Sequence, residues 1–301
     1  MRSDRTQSLY HFHFIVFIYG FSSILGALIS LQALPLVIYR MAIAALGLAV
    51  FFVLFKPEAF ALPKFLLPKV ILGGVIIGVH WVTFFHAIKI AGVSLTLSML
   101  ATGAIITALV EPLLIKERKL LGYEIVFGSI VILGIGLIFR AEFDNYLGIL
   151  VALCSAFLSS MFTILNGQMI KKAPAISLSL YELVVGTLVG ILFVLFSKAY
   201  TFSDFQLKAW DLIWILILAW LCTSYAFYAS IKVMQHLQPF TIMMIINLEP
   251  VYGILLSLII WNEKELLSGN FYIGFLIILS AILFNGVYKH RKEKNKVKAQ
   301  S

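Results

Sequence analysis

The chain has 301 residues, of which 61% are hydrophobic and only 12% charged, and its formal net charge is +9. A soluble domain must meet water with polar side chains, so this composition excludes one and makes lipid the natural solvent. The positive charge does not point to nucleic acid. Much of it lies in the run Lys289-His290-Arg291-Lys292-Glu293-Lys294-Asn295-Lys296-Val297-Lys298, directly after the last apolar stretch, where it would hold a membrane edge against anionic lipid.

Apolar runs of about 20 residues match the roughly 30 Å hydrocarbon core of a bilayer. They predict ten helical spans, at 12–31, 34–55, 70–89, 93–115, 121–139, 147–168, 177–197, 211–233, 239–261 and 270–288. The first is expected to be a retained span and not a cleaved signal, since no small-residue cleavage site follows Arg2 and Arg5. Pro35 and Pro239 open spans 2 and 9, Pro57, Pro63 and Pro68 sit before span 3, and Pro174 precedes span 7. Proline is tolerated at such starts because that amide hydrogen is unpaired anyway. The expected fold is an all-α polytopic membrane protein. Residues 1–11 would form a cytoplasmic N-terminus, 12–140 and 147–288 two five-helix units, and 289–301 a basic cytoplasmic tail.

With the N-terminus inside, seventeen lysines and arginines fall on inside segments, five on outside segments, and Arg40 within a span. That bias places both termini in the cytoplasm and the protein in the plasma membrane. Gly74 and Gly78 in span 3, and Gly186 and Gly190 in span 7, are spaced for close helix approach, expected within one chain. Cys154 and Cys222 fall in spans without metal-ligand spacing and read as buried small hydrophobes.

The two halves repeat each other. Ser22-Ser23 matches Ser159-Ser160, Tyr39-Arg40 matches Tyr181-Glu182, and Ala87-Ile88-Lys89 matches Ser230-Ile231-Lys232. Lys116-Glu117-Arg118 matches Asn262-Glu263-Lys264, and Gly128 matches Gly274. The offset drifts from 137 through 142 and 143 to 146, as small loop insertions produce. A five-span unit repeated in one chain must enter the membrane upside down the second time. Inverted repeats of this kind are a transporter architecture, with the substrate site where they meet.

This ordered series resembles the EamA-type members of the drug/metabolite transporter superfamily over essentially the whole chain. Its carriers are Tyr19-Gly20-Phe21-Ser22-Ser23, Pro35 with Tyr39-Arg40, Lys116-Glu117-Arg118, Leu248-Glu249-Pro250-Val251 and Asn262-Glu263. The resemblance implies a permease, often an exporter of amino acids or related metabolites, whose central cavity is lined mainly by spans 1–4 and 6–9. Two departures stand out. Tyr19 replaces a tryptophan common in the family, and Ala104 stands where span 4 often has the proline equivalent to Pro250.

Charges within hydrocarbon are costly and tend to face a cavity or each other. Arg40 and Glu182, at repeat-equivalent places, are candidates to bind opposite ends of a zwitterion; each could instead anchor a neighbouring helix. Glu249, just before Pro250, sits where the proline frees the Ile246 carbonyl, and could bind an amine or a proton or make a structural hydrogen bond. His80, Tyr39, Tyr181 and Asn166 complete the candidate substrate contacts, with core packing as the alternative for each. Glu249, Glu182 and Glu111 are the proton-coupling candidates. His86 and His80 are poorly placed as a metal pair. No phosphate-binding loop, HExxH or GxSxG motif occurs, so no cofactor, metal or ATP is expected. The expected partners are a small-molecule substrate, membrane lipid and protons. An intramembrane enzyme using His80 and a carboxylate, or a non-transporting sensor or scaffold, are the other classes.

Overall fold

The computed structural model describes residues 2–55, 62–115, 119–120, 122–261 and 267–298, with side chains from 4 to 288 within those ranges. Among them there are helices and no strands. Ten helices are long and apolar enough to cross a membrane: Asp4–Leu28, Ala33–Phe55, Lys64–Ala91, Val93–Leu114, Gly122–Ala141, Phe143–Met169, Ala175–Ser197, Ala209–Val233, Pro239–Trp261 and Gly269–Tyr288. We call these spans 1 to 10. The first helix begins at Arg2, ahead of the expected start, so the polar N-terminal segment continues span 1. The last runs on from the membrane to Lys298. The charged turns Lys116-Glu117-Arg118 and Asn262-Glu263-Lys264 lie outside the described residues.

Several of the main helix contacts are matched between the two halves. Span 3 packs on span 6, and its counterpart 8 packs on 1. Span 4 packs on 6, and 9 on 1. Span 3 packs on 7, and 8 on 2. Spans 2 and 7, 4 and 9, and 5 and 10 pair with each other. Exchanging the two five-helix units leaves this list unchanged, as a two-fold relation between repeats requires.

The close pairings use glycine. A Cβ at Gly186 would lie 3.0 Å from the Gly74 carbonyl oxygen, and one at Gly78 would lie 3.3 Å from the Gly186 Cα. Spans 3 and 7 therefore touch backbone to backbone, within one chain as expected. Gly134 and Gly274 do the same for spans 5 and 10, at 3.0 and 2.9 Å from each other's carbonyl oxygens.

Spans 4 and 9 are each broken. Span 9 is two helices, Pro239–Ile246 and Glu249–Trp261, and span 4 is Val93–Leu100 and Gly103–Leu114. The break in span 9 follows from Pro250, whose ring nitrogen cannot pair with the Ile246 carbonyl. Span 4 breaks at the equivalent place although Ala104 has replaced the proline. There Thr102 turns the chain by itself, donating its amide (3.1 Å) and its hydroxyl (2.7 Å) to the Met99 carbonyl.

Span 8 contains a wider turn. Trp220–Tyr225 is π-helical, with the Thr223 hydroxyl donating to the Leu218 carbonyl at 2.8 Å and the Ser224 hydroxyl to the Ala219 carbonyl at 3.1 Å. At the same end of the bundle as the start of span 8, the connection from span 7 is stiffened by Asp204. The Thr201 amide and hydroxyl donate to its Oδ2 (2.7 and 2.9 Å) and hold its carboxyl below the usual carboxylate range.

Gly186→Leu must separate spans 3 and 7, and overpacking of this kind costs about 1–3 kcal/mol. The thermal midpoint of the detergent-purified protein should fall while its oligomeric state is unchanged. A change of oligomeric state without a lower midpoint would mark the seam as an interface between chains.

Candidate functional site

Where the repeats meet, spans 1–4, 6, 8 and 9 surround a cavity of about 70 Å³. Its polar lining is Tyr19, Ser22, Arg40, His80, Ser159, Thr163, Ser230 and Glu249. Span 7 contributes no residue. Three pairs on the wall are repeat equivalents: Ser22 with Ser159, Phe84 with Phe227, and Leu100 with Ile246, at the offsets 137, 143 and 146 that relate the halves.

Arg40 is the anchor of this wall and is 2% exposed. Its Nε donates to Thr223 Oγ1 at 2.6 Å and its Nη2 to the Cys222 carbonyl at 3.4 Å. Both acceptors belong to the π-turn of span 8. A regular helix would spend the Cys222 carbonyl on its own ladder, and the widened turn presents it sideways. The guanidinium also stacks over Trp81, with Cζ 4.0 Å from the ring centroid, and lies 5.4 Å from the Phe85 ring. These rings favour the cation without neutralising it. Among the described residues Nη1 has no protein partner, so one edge of the fork remains for an anion in the cavity.

Glu249 heads the second half of span 9 and is 5% exposed. Among the described residues its carboxylate accepts no hydrogen bond, and it faces the same cavity as Arg40. Its repeat-equivalent position is Gly103, so this carboxylate has no counterpart in the first half. The His80 Nδ1 pairs with the Ser155 carbonyl and lies 2.9 Å from the Ser155 hydroxyl, which itself donates to the His80 carbonyl. With Nδ1–H committed to that carbonyl, Nε2 is the acceptor nitrogen. Tyr19 donates to the Ala226 carbonyl at 3.2 Å while lining the cavity.

The other sequence candidates sit elsewhere. Glu182 and Asn166 are paired with each other between spans 6 and 7, with Asn166 Nδ2 donating to Glu182 Oε1 at 2.9 Å, and neither lines the cavity. Tyr39 donates to the Phe205 carbonyl at 2.9 Å and fastens the span 7–8 connection. Tyr181 is half-buried against the core. Glu111 lines a separate hollow, and His86 another. Cys222 is buried at the π-turn as expected, but Cys154 is exposed: it lies on the outward face of span 6, where the reading as a buried small hydrophobe does not hold.

Two larger hollows flank the cavity. One, of about 730 Å³, opens at the lysine-rich end between Lys69, Glu111, Gln168, Lys171, Lys172 and His236. Met234 lines both this vestibule and the central cavity, so it stands at the junction between them. The other, of about 630 Å³, lies at the opposite end between spans 2, 3 and 7. At that end span 1 is gripped twice. Asp211 accepts the Ser30 amide (2.8 Å) and hydroxyl (2.6 Å), and Lys89 donates to the Ile29 carbonyl. Pockets that hold small-molecule ligands span roughly 300–1,000 Å³, so the central cavity must widen to accept one. The centre is narrow and polar in this arrangement.

The geometry agrees with the comparison to known families. The model of the EamA-like transporter family matches residues 146–287, which hold spans 7 to 9 and most of spans 6 and 10. Residues 146–287 belong to the EamA-like transporter family. A protein of known crystal structure, 13% identical, shares the fold with a TM-score of 0.68 over 97% of this chain and 100% of its own. No curated protein matches the chain. The family match over this segment and the ten apolar helices together fit a membrane transporter of the drug/metabolite type.

Sequence reasoning named Arg40, His80 and Glu249 but did not assign Trp81, Phe227, Ser230 or Met234. Ser22 and Ser159 were visible as a repeated pair, and that repetition is the signal that could have placed them on a shared central surface.

Thr223→Val leaves the Arg40 Nε–H buried without an acceptor, which costs about 1–3 kcal/mol. The thermal midpoint should fall, and Thr223→Ser, which keeps the hydroxyl, should restore it. Equal midpoints for Val and wild type would mean that the π-turn does not hold Arg40.

Proposed function

We propose that this chain is a secondary transporter of the plasma membrane that carries a small zwitterionic metabolite, such as an amino acid, out of the cell by alternating access at the repeat interface. The observation that carries this reading is the pairing of Arg40 and Glu249 on one small cavity at the centre of the two repeats. The free edge of the guanidinium binds the cargo carboxylate and Glu249 binds its amine. The hydroxyls of Tyr19, Ser22, Ser159 and Ser230, with His80 Nε2, complete the polar contacts. The aromatic wall of Trp81, Phe84, Phe162 and Phe227 excludes water and strengthens both charge contacts.

The positive-inside bias supports placing the lysine-rich vestibule, and both termini, on the cytoplasmic side. There Lys69, Lys171 and Lys172 raise the local concentration of carboxylate-bearing cargo. Cargo passes Met234 into the cavity, and rocking of one repeat against the other then opens the face held by the Asp211–Ser30 and Lys89–Ile29 contacts. Each repeat is one rigid unit of this motion, divided at the breaks in spans 4 and 9. An intramembrane enzyme acting on a lipid-linked substrate needs a lateral opening. His80 and Glu249 do share a cavity, but it sits amid seven spans, and the Nδ1 of His80 is occupied by Ser155. A scaffold gives no reason for a polar centre.

Purified protein in liposomes, offered a pool of labelled amino acids, should show saturable uptake. Arg40→Lys and Glu249→Gln should each weaken the apparent affinity about tenfold to a hundredfold, the scale of a hydrogen bond to a charged group. Unchanged affinity in both variants would remove the cavity from the pathway.

A further inference from the structure

The Glu182–Asn166 pair is a buried carboxylate contact that the cargo site does not use. Both side chains are 0% exposed. Asn166 Nδ2 donates to the Phe162 carbonyl at 3.4 Å and to Glu182 Oε1 at 2.9 Å, which fixes the amide's orientation. Two oxygens are then left over, Glu182 Oε2 and Asn166 Oδ1, both buried and both without a hydrogen-bond partner. One added proton would turn the carboxylate into a donor for the amide oxygen. A carboxylic acid and a primary amide are complementary in this way: the amide N–H donates to one carboxyl oxygen, and the acid O–H donates back to the amide oxygen.

Among the described residues no cation neutralises Glu182. Gly73 of span 3 lies so close that a Cβ there would fall 2.3 Å from Glu182 Oε1, so span 3 meets the carboxylate with bare backbone. On the elements packed around Glu182, the titratable side chains are directed elsewhere. Lys69 of span 3 lines the vestibule and His80 the cavity, and Lys89 donates to Ile29. Arg40 of span 2 is held by the π-turn of span 8, whose Cys222 lies beside it, while Lys232 of that span lies over Tyr228. Cys154 of span 6 faces outward, and Lys171 and Lys172 beyond it line the vestibule. A metal ion would need several more oxygens than the two on offer.

We propose that Glu182 and Asn166 form a proton site, separate from the cargo cavity, in which Glu182 Oε2 carries a proton in the closed state. This deepens the transport reading and rests on it for its consequence, which is coupling. Glu182 is the eighth residue of span 7, as Arg40 is of span 2, so the two repeats hold a fixed cation and a titrating acid at equivalent places. The proton enters from water on one face, is sealed in when spans 3 and 7 close on their glycine seam, and leaves to water on the other face when the repeats rock. Cargo and proton then move through different joints of the same motion.

Infrared spectra of the purified protein without cargo, at neutral pH, read the C=O stretch of a protonated carboxyl directly. The wild type should show this band, Glu182→Gln should lose one carboxyl from it, and Glu249→Gln should retain the Glu182 component. Should Glu182→Gln fail to fold, Asn166→Leu serves, since losing the amide should shift the band and not abolish it. Coincident spectra of wild type and Glu182→Gln would mean that Glu182 is ionised, and the proposal falls whatever liposomes show. In liposomes Glu182→Gln should lose accumulation driven by a pH gradient while keeping counterflow exchange of cargo. Gradient-driven accumulation as strong as in wild type would also overturn it. An inert wild type would sink the transport reading and leave the infrared result standing.

Discussion

A guanidinium stays charged at any pH a cell reaches, and here one is held inside the bundle at 2% exposure. Much of the central architecture is the accommodation of Arg40. The π-turn in span 8 turns a carbonyl and a hydroxyl toward it, Trp81 and Phe85 shield it, and the Thr223 hydroxyl satisfies the widened turn from the other side. Removing the turn would leave a buried charge with only aromatic faces. What the turn does not satisfy is the third nitrogen, and the proposed role of the cavity as an anion site rests on that remainder.

The halves of the chain share a scaffold but not a charge. At equivalent places in spans 2 and 7 stand Arg40 and Glu182, each facing the third helix of the other repeat: Arg40 meets the π-turn of span 8, and Glu182 meets Gly73 of span 3. At another equivalent pair stand Gly103 and Glu249. In the proposed mechanism the shared scaffold sets the joints of the motion, and these departures from symmetry set the chemistry. The glycine seams let the joints close backbone to backbone, and a larger side chain there would hold the repeats apart.

The spans, their number and the glycine seam of spans 3 and 7 were legible because bilayer thickness and close helix approach leave plain marks in composition and spacing. The break in span 9 was legible through Pro250. Its twin in span 4 was not, since Thr102 achieves it with a hydroxyl and an amide that could equally continue a helix. The π-turn was hidden for the same reason: Thr223 and Ser224 compete with the backbone only once span 2 presents Arg40 beside them. Single charges were easy to find, but their partners were not. Repeat symmetry pointed to Arg40 and Glu182 as two ends of one site, whereas the packing puts Arg40 and Glu249 on the wall of one cavity and pairs Glu182 with Asn166 outside it. Tyr39 resembled a substrate contact until the Phe205 carbonyl supplied its acceptor.

The central claim is that the cavity between the repeats opens to each side of the membrane in turn. Accessibility of Ser159 tests it most directly, and without knowledge of the cargo. In a Cys154→Ser background, where the remaining Cys222 is buried, Ser159→Cys offers one thiol on the cavity wall. A membrane-impermeant thiol reagent is predicted to label it from either face of oriented vesicles. Labelling from one face alone under every condition, or from neither, would contradict alternating access about this cavity.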